Sequence, residues 1–526
     1  MEYTPEKLNI DGLETFERGE NMELKVFRDT LSCMNELCAC TAEIPIETEI
    51  LVPDYLPQIF KIVKCFVYPV ALKKQVAAGR LTVDGYLRCV VYYQAEEDHS
   101  LCQTEQKIPF ARTMDLPESE AQNYVVNVSG EVEYLNCRAV NQRRIDIRGA
   151  FAMNAVVTVQ VEQEIVTALA DCGIEQKMLP VSGTKCLLNM DKLITAEEEL
   201  TLPGQPQAIL DISGIGDIEE IKLISGKAVV KGSVQVSVTY RTTAGCDLES
   251  TEKSVPFNQI IDMDGIPEDS TCFGYVEMIG CTLTAATGQE GANTLTMTAM
   301  LHLRVYRPAE CYVVEDAFST QYTTEVSTRP LQCEHFLEQL DKTAQTQVTG
   351  TMPDENAQII GCFVMLSQPE WQTNAEGLCL GGRAIAHVLC LNSLDEIDCY
   401  DKSFEYVLPG AYQGDAADYR LECWPVVTHA EARKEGGMMT VQVSIRVQGL
   451  LFSHSKETTV DAVTCEELLE NEEPDVALRI YYAQAGENIF EIAKNYHVSP
   501  AAMMKLNELE DMQLEDTCRL LVPMTV

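Results

Sequence analysis

The stretch Gly79-Arg80-Leu81-Thr82-Val83-Asp84-Gly85 recurs later in the chain as Gly226-Lys227-Ala228-Val229-Val230-Lys231-Gly232. The two copies lie 147 positions apart. The same offset aligns further positions without a gap, Tyr93 with Tyr240 and Pro109-Phe110 with Pro256-Phe257. Self-similarity at a fixed period is typical of a repeat architecture, so the chain contains at least two copies of one structural unit.

Both copies alternate between apolar and polar residues. In the second copy the apolar positions are Ala228, Val230, Val234, Val236, Val238 and Tyr240. A period of two predicts a strand with one buried face. Gly85 and Gly232 fall on the inward face, where the missing side chain lets a neighbouring strand or a bulge approach closely.

A third, more diverged copy follows. Gly382-Arg383-Ala384-Ile385-Ala386 reproduces the opening, and Phe404-Glu405-Tyr406 lies where the Pro-Phe pair is expected. In this alignment Val388 replaces the inner glycine, which predicts a changed surface role for the third copy. Each copy also ends in another alternating run, namely Ile145–Arg148, Leu295–Thr298 and Val441–Ile445. We therefore predict a mainly β fold with three tandem antiparallel β-rich repeats.

The last part of the chain has a different pattern. Apolar residues at helical spacing predict one helix, namely Ile489, Ile492, Ala493 and Tyr496. Asn488 and Glu491 form a capping box at its start, and Ser499-Pro500 begins a second helix. The short apolar runs Ile480–Ala483 and Leu520–Pro523 flank the helices. These residues predict a small βααβ domain.

The expected organisation has six segments. They are an N-terminal segment 1–41, repeats at 42–165, 178–310 and 328–460, an acidic linker 461–477 and the C-terminal domain 478–526. The linker holds seven acidic and no basic residues, which predicts an extended tether that leaves the last domain free to search for a partner. Within the N-terminal segment, the partly apolar stretch from Phe27 to Met34 is interpreted as a possible helix.

Composition excludes several classes of partner. The chain has 526 residues, with 39 basic against 81 acidic side chains and a net charge of −42. Such a surface repels nucleic acid and anionic lipid. The first residues lack the pattern of a signal peptide, and no apolar run is long enough to span a membrane. We therefore expect a cytosolic protein without membrane insertion, whose 21 cysteines remain reduced.

No catalytic or metal-binding pattern is present in the sequence. The cluster Cys33, Cys38 and Cys40 has spacings unlike a zinc site, and the seven histidines make no metal-binding motif. His387 and His497 are interpreted as packed or exposed side chains. The Gly-x-Gly in Ser213–Gly216 is interpreted as a turn instead of a phosphate-binding loop. We predict that the protein is not an enzyme and needs no metal or cofactor.

The C-terminal segment resembles a LysM domain. The residues behind this resemblance are Tyr482, Gly486-Glu487-Asn488-Ile489, Ile492-Ala493, Tyr496, Leu506-Asn507 and Val522-Pro523. LysM domains commonly bind N-acetylglucosamine polymers between the first loop and the loop after the second helix. Here Glu487-Asn488 replaces the usual Asp-Thr, and Thr517 replaces a glycine. Substitution in the first loop argues against glycan binding without affecting the expected fold.

From about Ala42 to its end, the chain resembles the SPOCS-domain proteins of endospore-forming bacteria, which carry tandem β-rich repeats before a LysM domain. The residues that support this are the glycine-flanked strand ending in tyrosine, the following Pro-Phe, and Asn141-Gln142-Arg143-Arg144-Ile145. The resemblance implies a structural protein of the spore coat or envelope. It would act in the mother-cell cytoplasm and then at the forespore surface, docking through LysM on a coat protein such as the basement-layer ATPase.

Two functions are open at this point. The favoured one is coat assembly through protein docking, and the alternative is binding of cortex or cell-wall peptidoglycan. In either case the expected binding residues lie in two loops, namely Gly486, Glu487, Asn488, Ile489, Asn507, Leu509, Glu510 and Met512. Asn488 is equally well explained as a helix cap, and Ile489 as a core residue.

Overall fold

The chain folds into three strand-rich units and a small C-terminal domain. The computed structural model describes residues 24–119, 123–203, 206–242, 248–284, 293–352, 354–375, 377–469 and 478–523. Neighbouring strands pair antiparallel in every sheet of these residues. The predicted mainly β fold with a closing βααβ piece is confirmed.

The first unit is a sandwich of two three-stranded sheets. Its strands are β1 (Lys25–Leu51), β2 (Ile59–Ala77), β3 (Arg80–Ala95), β4 (Leu101–Asp115), β5 (Tyr124–Asn141) and β6 (Arg144–Ala170). The sheet orders are β1-β6-β5 and β2-β3-β4. The alternating apolar residues of β3, which the sequence assigned to an inward face, pack against those of β6 in one core. Burial of this shared apolar face is what joins the two sheets.

The second unit repeats this arrangement. It contains β7 (Ile174–Leu200), β8 (Ala208–Ile224), β9 (Lys227–Arg241), β10 (Glu249–Asp262), β11 (Thr271–Thr284) and β12 (Asn293–Ser319). The sheet orders are β11-β12-β7 and β10-β9-β8.

The third unit has one additional strand and a 3₁₀ turn at Ala416–Asp418. Its strands are β13 (Tyr322–Thr351), β14 (Gln358–Leu366), β15 (Glu370–Asn374), β16 (Gly377–Leu391), β17 (Ile397–Val407), β18 (Tyr419–Glu435) and β19 (Met438–Leu468). β13, β19 and β18 form one sheet, and β14, β15 and β17 all pair with β16 in the other.

The long first and last strands of each unit extend past the boundaries expected from sequence. β1 begins at Lys25 and runs through position 42, and β19 continues to Leu468, inside the expected acidic linker. The helix suggested for residues 27–34 is wrong, because these residues pair with β6 from Phe27↔Ala168 to Met34↔Gln160. The rest of the expected linker, residues 470–477, lies outside the described residues.

A glycine facing an aromatic ring is common to all three units. A Cβ on Gly85 would lie 2.0 Å from the Val70 carbonyl oxygen, and one on Gly232 would lie 2.6 Å from the Phe257 ring. In the third unit the corresponding pair is Gly382 with Tyr406. The assignment of Val388 to the inner-glycine position was therefore wrong. The residue opposite the aromatic ring is Gly382, which lies six positions earlier in the same strand.

The Gly-x-Gly at 213–216 is part of β8, so its interpretation as a turn was also wrong. A Cβ on Gly214 would lie 2.1 Å from Met278 Sδ, and one on Gly216 would lie 2.4 Å from Val276 Cβ. The two glycines therefore let β8 pack closely against β11 at one side of the sandwich.

The first and last strands of each unit form a long antiparallel pair, namely β1/β6, β7/β12 and β13/β19. The outer halves of these long strand pairs pack against one another. One apolar cluster takes residues from all three pairs, namely Leu31, Ile165, Val181, Val313, Leu331 and Cys333. The units are joined by the short connections 171–173 and 320–321. Because each strand pair contributes apolar residues to this cluster, the three units form one body.

A buried network of charges lies between the second and third units. Arg420 contacts Glu334 and Glu422, and Arg304 Nε lies 3.3 Å from Glu422 Oε2. These four side chains are at most 9% exposed. Burial alone would raise the pKa of Glu422, but the two guanidinium groups outweigh it and hold that pKa below its usual value. The Arg304–Glu422 pair joins the two units, whereas Arg420 pairs with two carboxylates of its own unit.

The C-terminal domain consists of β20 (Leu478–Ala483), α1 (Ile489–Tyr496), α2 (Pro500–Leu506) and β21 (Cys518–Pro523). It packs against the end of β12 through α1. The Phe490 and Phe318 rings lie 5.2 Å apart, and Lys494 forms an ion pair with Asp316. His497 Nδ1 lies 3.2 Å from the Ser319 carbonyl oxygen. In this arrangement the domain rests on the second unit, in contrast to the freely tethered domain expected from sequence.

Candidate docking surface of the C-terminal domain

The first predicted binding loop is built mainly from residues that hold the domain together. The Asn488 side chain accepts a 2.8 Å hydrogen bond from the Phe490 backbone N–H, as an N-cap does. Ile489 is completely buried. The alternative explanations for these two residues therefore agree with the structure.

Glu487 is also engaged within the loop. Its carboxylate accepts hydrogen bonds from the Tyr481 hydroxyl at 2.9 Å and from the Gln484 backbone N–H at 2.7 Å. The contact with the carboxylate raises the pKa of Tyr481. Gly486 has φ +90° and donates its N–H to the Leu514 carbonyl, so this position favours glycine.

The second loop contains both structural and exposed residues. The Asn507 amide donates to the Met503 and Leu521 carbonyls at 2.8 Å and accepts from the Leu521 N–H at 2.7 Å, which ties α2 to β21. Leu509 is half-buried against the domain core. Glu510 and Met512 are exposed, and Met512 retains 43% of its accessible surface.

The two predicted loops lie side by side. The Ile489 N–H donates to the Met512 carbonyl at 2.8 Å, and the Leu514 N–H donates to the Glu487 carbonyl at 3.0 Å. The structure therefore brings the eight predicted residues into one region. Of these, only Gly486, Glu510 and Met512 are classed as exposed. Their role in binding remains a prediction.

A second surface on this domain was missed by the sequence analysis. Leu478, Ile480 and Tyr482 alternate along β20 and are 48%, 59% and 69% exposed, and Leu521 of β21 is 37% exposed. Ile480 pairs directly with Leu521, so the four side chains form one apolar strip on the outer sheet face. We call this the outer strip.

The outer strip lies on the side of the sheet opposite the helices. The inward residues Ala483, Leu520 and Val522 belong to the same core as Ile489 and Met503, whereas the strip residues point away from that core. The domain contacts the second unit through α1, so the strip remains accessible. The sequence of β20 could have revealed the outer strip, because apolar residues occur on both faces of this strand. A half-buried strand normally has a polar outer face.

Comparison with known proteins identifies two segments. Residues 58–140 and residues 205–285 match the family model described as SipL, SPOCS domain. These two segments are similar to the SPOCS domain, and the match points to a role in sporulation. The matched family is not a known enzyme family. No curated protein and no solved structure matched the chain.

The matched segments correspond to the same part of the first and second units. Residues 58–140 cover β2, β3, β4 and most of β5, and residues 205–285 cover β8 to β11. The long strand pairs lie outside both matches. Among the described helices, neither has the length and apolar character needed to cross a bilayer.

Proposed function

We propose that this chain is a non-catalytic assembly protein of the endospore coat or envelope, and that its LysM-like C-terminal domain docks on a coat protein. The observation that carries the proposal is the outer strip. Contiguous exposed apolar side chains on a soluble domain mark interaction surfaces. The strip belongs to a domain attached to a rigid three-unit body, which suits a scaffold that presents one docking module.

The partner class follows from the chemistry of the two candidate surfaces. In the loop region, the side chains of Glu487, Asn488 and Asn507 already hold parts of the domain together. The outer strip offers apolar area with the exposed Arg519 at its edge, opposite Tyr482, and an aromatic side chain of a protein partner fits such a surface. A sugar ring with many hydroxyl groups would leave its hydrogen bonds unmade there.

The resemblance to SPOCS-domain proteins supports the proposed place of action. The protein would be made in the mother-cell cytoplasm and then join the coat at the forespore surface. A coat protein such as the basement-layer ATPase is the partner to test first.

The test compares two strand isoleucines of equal exposure. Ile480 is 59% exposed in the outer strip, and Ile260 is 61% exposed on β10 of the second unit. Full-length Ile480→Glu should lose at least tenfold in affinity for the purified basement-layer ATPase, while Ile260→Glu should bind as the wild type does. Circular dichroism and thermal melting should show that both variants fold.

The loop region needs its own variant. Glu510→Ala combined with Met512→Ala changes two exposed residues of the second loop without affecting Asn507. If this variant loses the ATPase and Ile480→Glu keeps it, docking occurs through the loops. Micromolar binding of N-acetylglucosamine oligomers without any coat-protein binding would instead establish the peptidoglycan function.

A further inference from the structure

Three side chains of different chemistry meet on one face of the third unit. His387 of β16 and Asp401 of β17 are direct cross-strand partners, and Cys399 precedes Asp401 by two residues on the same face. His387 Nδ1 lies 2.7 Å from Asp401 Oδ1, and the Cys399 thiol lies 3.4 Å from the same oxygen. The three ligand atoms all lie within 4.8 Å of one another.

The histidine presents one ring nitrogen to the cluster. His387 is 5% exposed, and its Nδ1 faces the Asp401 carboxylate. Because an ionised carboxylate only accepts hydrogen bonds, Nδ1 donates to it when no ion is bound. The other ring nitrogen, Nε2, is buried without a hydrogen-bond partner, and the ring lies 5.0 Å from Phe66 in an edge arrangement. A buried nitrogen without a partner is costly and is not explained by packing alone.

Asp401 uses its two oxygens for different partners. Oδ1 faces His387 and Cys399, whereas Oδ2 lies 2.5 Å from Lys64 Nζ, which the first unit contributes from β2. The Lys64 ammonium compensates the charge of the carboxylate at Oδ2. The lysine therefore fixes the carboxylate from behind and leaves Oδ1 directed at the nitrogen and sulfur donors.

The combination is specific to the third unit. With Gly85, Gly232 and Gly382 as equivalent positions, strand pairing places Glu105 and Glu252 where Asp401 lies. In the first unit Val90 replaces the histidine and Gln103 replaces the cysteine. In the second unit Ser237 and Ser250 take these two positions. A carboxylate is present in all three units, but nitrogen and sulfur donors accompany it only in the third.

We propose that His387, Cys399 and Asp401 form a binding site for a divalent transition-metal ion of the zinc type. Imidazole nitrogen, thiolate sulfur and carboxylate oxygen are the donors that Zn²⁺ takes in proteins, and three protein ligands leave a fourth position for water. The ion would occupy the space between Nδ1, Sγ and Oδ1. Lys64 stays on Oδ2 as the group that orients the carboxylate.

The proton balance of binding is simple. Cys399 releases its thiol proton to solvent and binds as the thiolate. His387 changes tautomer, so that Nδ1 binds the ion and the proton moves to Nε2. Each ion bound therefore releases one proton.

Cobalt titration of the full-length protein tests the site. After treatment with chelator, Co²⁺ should give a sulfur-to-cobalt charge-transfer band that saturates near one equivalent and is removed by Zn²⁺. Cys399→Ser should abolish the band, and His387→Gln should weaken binding at least tenfold. The matched control is Cys362→Ser, which removes another half-buried thiol of the same unit and should keep the band.

Two outcomes would overturn the proposal. One is a band of equal strength in wild type and Cys399→Ser, which would assign cobalt to other thiols. The other is the absence of any saturable band in the wild type. Far-ultraviolet circular dichroism distinguishes loss of a ligand from loss of the fold, and Asp401→Asn provides a second ligand change that leaves every thiol in place.

Discussion

Arg420 is the central cation of the buried charge network at the interface between the second and third units. It is 9% exposed, contacts Glu334 and Glu422, and has its guanidinium carbon 4.0 Å from the centroid of the Phe452 ring. Arg420→Met keeps most of the volume and removes the charge. Glu422 would still be paired with Arg304, but Glu334, which is completely buried, would lose its guanidinium partner.

Removing one partner of a buried ion pair typically costs about 3–5 kcal/mol, because the remaining charge is left without compensation. We expect a loss in that range for Arg420→Met. The double variant Arg420→Met with Glu334→Met also removes the stranded carboxylate. It should recover most of the loss, since a well-packed apolar replacement of a buried pair is often neutral.

Tryptophan fluorescence provides a local assay. The chain has two tryptophans, and the Trp424 ring of the third unit stacks 3.5 Å from the Tyr275 ring of the second. In a Trp371→Phe background the emission of Trp424 reports this interface alone. Urea titration followed by this emission gives the free energy of unfolding at the interface. Arg433→Met is the matched control, because Arg433 pairs with Glu431 at the exposed surface and its loss should leave the transition unchanged.

The reasoning would be refuted if Arg420→Met shifted the Trp424 transition no more than Arg433→Met. It would also fail if the double variant were less stable than the single one, since that would mean that Glu334 is not the source of the loss.

Three further changes test other parts of the fold. A Cβ on Gly232 would lie 2.3 Å from the Asp217 carbonyl oxygen. Gly232→Val should therefore destabilise the second unit by about 1–3 kcal/mol in urea denaturation. A denaturation midpoint equal to that of the wild type would contradict the close approach. Asn488→Ala removes the cap on the Phe490 N–H and should cost about 1 kcal/mol, with Asn488→Asp retaining stability. Burial lowers the pKa of His387. Its contribution to stability is therefore present above the unfolded pKa of about 6.5 and is lost as pH falls below that value, by up to about 1.4 kcal/mol per pH unit. His387→Gln should remove this slope of stability against pH, and an unchanged slope would assign it to other groups.

The repeat pattern predicted the alternating strand of the first two units correctly because that strand obeys a simple rule. In β3 and β9 alternating residues face a core, so their period of two is visible in the sequence. The inward glycines Gly85 and Gly232 were identified for the same reason. In the third unit the corresponding position was assigned to Val388, because aligning Gly382 with the opening glycine of the repeat placed the inner position six residues too late.

The long strand pairs were harder to predict because other units bury them. Leu31, Cys33 and Met34 are buried on both faces of β1, against strands that are distant in sequence. Such a strand loses its alternation and resembles a buried helix, which is how residues 27–34 were interpreted. Pairing between sequence-distant strands cannot be derived from local periodicity alone.

The C-terminal domain shows the opposite behaviour. Its caps and apolar spacing are local, and the structure places α1 and α2 where those residues predicted them. The docking of α1 on Phe318 was not predicted, since nothing in the sequence of Phe490 or Lys494 distinguishes a surface contact from a core contact. The exposed strip was missed because its residues were interpreted only as strand formers.

The short connections between the units determine how many docking modules each body can present. Residues 171–173 and 320–321 leave too little chain for the units to exchange places, so the three occupy fixed positions within one polypeptide. A trimer of identical subunits would present three C-terminal domains, whereas this chain presents one. In a shell built from such bodies, each scaffold would contribute a single bond to the layer beneath it, and the spacing of those bonds would be set by the width of the three-unit body.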